Sequence, residues 1–163
     1  MVMKRTTNIL DRIGSLIPGY SGYAKRDNQR ISDKLLRDKI ATRLVEVENA
    51  INDMQKKAVR GEIGVDLLVM EELRKGSSTL SSKIRNATYG ASALFDKEQI
   101  KEEELQEIYR LDEYILDQVE HLNLLIQQDH EANFLVAAIR LKLKEVEKAF
   151  NERTDYIQFK GNK

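Results

Sequence analysis

Apolar residues recur three and four positions apart along most of the chain, and nowhere is there a sustained strand-type alternation, so the pattern predicts helices throughout. The first, residues 6–17, carries Ile9, Leu10, Ile13, Leu16 and Ile17 on one side, with Thr6 or Thr7 as its cap. Pro18 ends it, and Gly19 and Gly22 permit a chain reversal. Residues 24–60 contain neither Gly nor Pro and read as one helix of about 37 residues, on the order of 55 Å long. Its second half has a seam of Ile40, Leu44, Val47, Ile51, Met54 and Ala58. Going backward, the same positions become Arg37, Asp33, Arg30 and Arg26, while Ile31 and Leu35 point to nearly the opposite side.

Three more helices follow. Residues 64–87, with Ile63 just before them, place Ile63, Met70, Leu73, Ser77, Leu80, Ile84 and Ala87 on a seam whose middle is small, with Gly76, Ser77, Ser78, Ser81 and Ser82 inviting close approach of a neighbour. Residues 100–126 hold Leu105, Ile108, Asp112, Ile115, Val119, Leu122 and Ile126 in heptad, coiled-coil-like spacing, with Asp112 the one polar member. Residues 131–157 carry Ala132, Val136, Ile139, Leu143, Val146, Phe150 and Ile157, interrupted by Arg153, and 158–163 read as a frayed tail.

Short connections fold such a series into an all-α, up-down-up-down four-helix bundle of long antiparallel helices with an extra short amino-terminal helix, one domain over residues 1–163. Folding about turns near 61, 94 and 128 puts Arg37, Arg85, Glu103 or Glu104, and Arg153 at one height, which predicts a charged layer at that end. Residues 24–36 then project beyond the layer by on the order of 20 Å. The first helix and residues 88–99 are expected to cover the projection, anchored on Ile31 and Leu35.

Composition narrows the chemistry. With 27 basic and 27 acidic side chains there is no global field to draw the chain to nucleic acid or anionic lipid. The absence of Cys excludes disulfides and thiolate chemistry and fits a reducing compartment. No apolar run approaches a membrane span and the first residues lack a signal-peptide core, so a cytoplasmic location is expected.

A di-iron carboxylate site needs Glu-x-x-His pairs, yet Gln118 and Gln127 stand three before His121 and His130. Asp117 and His121 could share a metal, but such spacing is common on solvated faces; no cofactor and no metal are expected. Neither Gly19-x-x-Gly22 nor Gly61-x-x-Gly64 is a phosphate loop, and the serines near 77–82 have no local His. Asp112 reads as a register-fixing buried polar residue, with Lys142 or Lys144 as its partner; Arg153 is the second candidate buried polar residue. Arg26, Arg30, Lys34 and Arg37, next to Tyr20 and Tyr23, form a basic stripe that could hold phosphates, the tyrosines stacking. The competing reading pairs the stripe with the chain's own acids at Glu102, Glu103, Glu104 and Glu107.

Ile17-Pro18-Gly19-Tyr20, Gly22 and Tyr23, followed by Arg30, Asp33, Leu35, Leu36 and Arg37, resemble the opening of a group of small prokaryotic helical proteins of no established function. Tyr89-Gly90 with Leu94-Phe95-Asp96, leading to Leu105, Tyr109 and Asp112, resembles their second shared stretch. The resemblance implies a prokaryotic origin and no activity. The residues therefore predict a non-enzymatic scaffold or protein-interaction domain with a protein partner or self-association. The alternatives are anionic-ligand binding (membrane surface or nucleic acid) by Tyr20, Tyr23, Arg26, Arg30, Lys34 and Arg37, and a metal-dependent bundle enzyme.

Overall fold

A computed structural model describes residues 2–87, 93–96 and 99–161, and among these the chain is all-α with no strand. The helices are α1 (Val2–Leu16), α2 (Arg26–Val59), α3 (Leu67–Arg85), α4 (Glu102–Gln127) and α5 (Ala132–Gly161), with a 3-10 turn at Ala93–Asp96. No helix among the described residues is long and apolar enough to cross a membrane.

The seams become the core. Ile40, Leu44, Val47 and Ile51 of α2 are buried against Met70, Leu73, Leu80 and Ile84 of α3 and Ile108, Ile115, Val119 and Leu122 of α4. Ile139, Leu143, Val146, Phe150 and Ile157 of α5 join them. The small middle of α3 faces α2: Ser77 Oγ donates to the Leu44 carbonyl at 2.8 Å and Ser81 Oγ to that of Ala41 at 3.0 Å. Two backbones can approach this closely only where the intervening side chains are short.

Ends differ from expectation where no breaker residue stands. Helix α1 begins at Val2, so Thr6 and Thr7 lie inside it and do not cap it. Helix α5 runs on through the expected tail to Gly161, because 158–160 is Gln-Phe-Lys, with nothing to stop a helix; 162–163 lie outside the described residues. Asp66 precedes α3 as its cap, its Oδ1 accepting from the Leu68 and Val69 amides at 2.8 and 3.4 Å. Glu131 caps α5 in the same way, its carboxylate accepting from the Asn133 and Phe134 amides at 3.0 and 2.9 Å.

Helix α1 packs on α4. Ile13, Ile17, Tyr20 and Tyr23 make that contact with the core, while Ile31 is 56% exposed and Leu35 half-buried. The expected anchor on Ile31 is thus wrong: the corner turns its tyrosines inward, which brings α1 down beside α4 rather than over the far side of α2. The expected partners of Asp112 are also wrong. Lys142 is held by Gln118 at 2.8 Å and Glu145 at 3.1 Å, and Lys144 is exposed.

Candidate functional site

The corner between α1 and α2 is built by short-range bonds. The Tyr20 amide reaches back to the Ile17 carbonyl at 3.1 Å, and Ser32 Oγ donates to the Gly22 carbonyl at 3.0 Å while accepting from the Ser21 amide at 3.3 Å. Gln29 Nε2 donates to the Tyr23 carbonyl at 3.0 Å. Gly22 has φ +85°, and a Cβ there would lie 2.5 Å from Tyr109 Oη, so the position demands glycine twice over. The close approach lets Tyr109 Oη accept from the Tyr23 amide at 2.9 Å.

This geometry drives both tyrosine hydroxyls onto one carboxylate. Asp112 Oδ2 accepts from Tyr20 Oη at 2.8 Å and from Tyr23 Oη in a shorter bond, and its Oδ1 accepts from Arg153 Nε at 2.5 Å. Arg153 Nη2 also donates to Tyr23 Oη at 3.0 Å and to Asp33 Oδ1 at 2.8 Å. The other Asp33 oxygen takes Arg37 Nε at 2.9 Å, and Arg37 Nη1 donates to the Arg85 carbonyl at 2.8 Å, at the end of α3. A guanidinium there also meets the negative end of the helix dipole. Two acids and two bases from α2, α4 and α5 thus form one neutral knot: Asp112 is 0%, Arg153 2% and Arg37 5% exposed. Tyr23 is sandwiched between Phe95 and Tyr109, with ring centroids 5.0 and 5.6 Å away, and Tyr20 meets its edge.

Electrostatics follow from burial and from these partners. Burial, then the Asp112 charge, pushes the Tyr20 and Tyr23 hydroxyls well above the ordinary phenol range. Burial also pushes the Asp112 carboxyl up, against the pull of Arg153 and the tyrosine hydroxyls. It works against the Arg153 charge as well, but Asp112, Tyr23 and Asp33 overcome it and hold the guanidinium protonated. The carboxylates of Asp112 and Asp33, the Tyr20 and Tyr23 hydroxyls and the Arg153 and Arg37 guanidinium groups bond to one another or to the backbone. As chemistry, it is a closed brace.

The stripe predicted on α2 is split between surface and interior. Arg26, Arg30 and Lys34 are exposed, whereas Arg37, Tyr20 and Tyr23 are buried and face the core, so these six do not form one ligand surface. Arg37 pairs with Asp33 of its own helix, not with α4. The acids opening α4 have other work: Glu104 Oε2 accepts from the Lys101 amide at 3.0 Å, Glu107 holds Arg110, and further along Glu113 pairs with Arg12. In the charged layer Arg85 contributes its carbonyl, its side chain reaching Thr42 at 3.4 Å. Asp117 and His121 are both exposed, and no group of three or more potential ligands that could hold a metal occurs among the described residues. Tyr89 and Gly90 lie outside the described residues.

Sequence reasoning missed Asp33, Tyr109, Gln29 and Ser32 as members. Asp33 carried a signal, since it continues the α2 seam one step beyond Arg37; Tyr109 sits just under one turn before Asp112. Gln29 and Ser32 carried none. No protein-family model, curated protein or solved structure matches the chain.

Proposed function

We propose that this chain is a non-enzymatic helical scaffold that presents surfaces to a protein partner or to a further copy of itself. The observation that carries the reading is the closure of the knot: its reactive-type groups, Asp112, Asp33, Tyr23 and Arg153, are consumed by one another and sealed from solvent. Such an arrangement fixes register and rigidifies a frame. In this reading α2 to α5 alternate in direction, up-down-up-down, with α1 added outside. Support comes from pairs in which one number rises as the other falls: Leu44 with Ser77 and Ala41 with Ser81, then Asp112 with Arg153 and Gln118 with Lys142. Light scattering should show self-association, or a partner should co-purify with the native protein. A strict monomer that brings down nothing would overturn the scaffold reading.

A second reading rests on Arg26, Arg30 and Lys34, which are exposed on the first turns of α2. There they would hold an anionic surface, the shared chemistry of lipid headgroups and nucleic acid. Binding to heparin should fall steeply with salt and be lost in Arg26→Ala/Arg30→Ala; absence of binding at low salt excludes it.

A further inference from the structure

The first turns of α2 carry cations that the protein does not neutralise. Arg26, Arg30 and Lys34 stand four apart, a row winding slowly round the helix, and Lys25 precedes them. All four are exposed, against one exposed acid in residues 24–35, Asp27, since Asp33 is buried in the knot. Among the described residues the side chains of Lys25, Arg26 and Lys34 make no ion pair. Other guanidinium groups at the surface are matched, Arg12 with Glu113, Arg43 with Glu120 and Arg110 with Glu107. This segment therefore presents an excess of positive charge to the solvent, to which the amino-terminal end of the helix dipole adds.

An aliphatic side chain stands out of the same stretch. Ile31 is 56% exposed, three residues before Lys34 and one turn before the half-buried Leu35. The corner backs onto that turn, for a Cβ on Gly19 would lie 3.4 Å from Leu35 Cδ1, and Pro18 next to it is exposed. Pro18, Ile31 and Leu35 thus give the cationic row an apolar edge. Single-stranded nucleic acid is gripped by aromatic rings on which bases stack, and here Tyr20 and Tyr23 are buried. An exposed isoleucine adds nothing to a contact with phosphodiesters. A bilayer surface uses both kinds of side chain, its anionic headgroups meeting the cations and its acyl boundary the aliphatic group, and it asks for a helix face rather than a pocket.

We propose that the first turns of α2 dock on an anionic lipid bilayer, with Arg26, Arg30 and Lys34 among the headgroups and Ile31 seated at the acyl boundary. The inference rests on the second reading above and chooses the lipid surface over nucleic acid. The cations supply the attraction, each strengthening binding roughly fivefold near such a surface. Ile31 supplies the insertion and fixes which side of α2 turns to the lipid. With a short cationic row and one inserted side chain, the contact is reversible and weakens as salt screens it.

The chain contains no Trp, so Ile31→Trp places a lone indole at the proposed contact. Its emission should shift to the blue on adding phosphatidylserine-containing vesicles at low salt, and bromine on the acyl chains should quench it; pure phosphatidylcholine vesicles should do neither. Because an indole has its own affinity for interfaces, flotation of the natural chain with the same vesicles runs beside it. There Arg26→Ala/Lys34→Ala should weaken binding by on the order of thirtyfold and Ile31→Ser by roughly tenfold. Melting temperatures should stay unchanged, because all three side chains are exposed. Heparin binding without vesicle binding would overturn the lipid inference while leaving the anionic-surface reading intact. Binding to neither removes both. Flotation that is indifferent to Ile31→Ser, with an indole that bromine does not reach, would also overturn the docking described here.

Discussion

Arg153→Met removes a side chain that bonds to three others in the knot. The change deletes bonds to Asp112 at 2.5 Å, Asp33 at 2.8 Å and Tyr23 at 3.0 Å, and leaves Asp112, 0% exposed, without a cation. Breaking a buried ion pair from one side costs about 3–5 kcal/mol, because the surviving charge keeps its desolvation penalty. A domain of this size loses roughly 2–4 °C of Tm per kcal/mol, so the midpoint should drop by about 6–20 °C. Urea denaturation at neutral pH, read by circular dichroism, should show the loss as a lower midpoint with an unchanged slope. The sharper test adds Asp112→Asn. In the natural background that change abolishes the pair and should cost about 2–4 kcal/mol; in Arg153→Met it removes an uncompensated charge while keeping an acceptor for the tyrosines, and should cost roughly nothing or restore stability. An Arg153→Met loss under about 1 kcal/mol, or an Asp112→Asn effect equal in the two backgrounds, would refute the reasoning.

Two further outcomes test the corner. Since Tyr20 and Tyr23 are held well above the usual phenol value of 10.0, the stability they contribute is complete below pH 10.0 and is lost as pH rises beyond it; tyrosinate absorbance should therefore show these two ionising only in a cooperative step with unfolding, and smooth ionisation in a folded protein would contradict it. Gly22→Ala should cost more than about 1 kcal/mol in a thermal melt, whereas Gly64→Ala, with nothing within 4 Å of its Cβ, should stay within about 0.5 kcal/mol; equal effects would show that the strained turn and the contact with Tyr109 do not matter.

Much of the fold was legible because it is written in spacing. Ile40, Leu44, Val47 and Ile51 recur at four and three, and a helix can satisfy them in only one way. The serines of α3 announced a close neighbour by their size. Counting heights put Arg37 and Arg153 in one layer, which is where the knot lies. What spacing leaves open is choice between faces near a helix end, where one apolar residue on each side weighs about the same. Ile31 lost that choice to Tyr20 and Tyr23, whose hydroxyls could be buried once Asp112 was there to accept them. The lysines proposed for Asp112 failed for a related reason: an ammonium is strongly hydrated and points one way, while the Arg153 guanidinium reaches Asp112, Asp33 and Tyr23 at once. Gln29 and Ser32 bond to the backbone of the turn, and side chain to backbone bonds leave no periodic trace.

The bond between Arg153 and Tyr23 joins residues 130 positions apart in the chain. During synthesis the tyrosines, Asp33 and Asp112 all emerge before the cation that completes them, and a nascent chain lacking α5 holds two carboxylates with only Arg37 to balance them. Closure over so long a loop comes late in folding. The knot can therefore close only once α5 is present, and a chain that stops before Arg153 leaves Asp112 and Asp33 without the guanidinium that joins them.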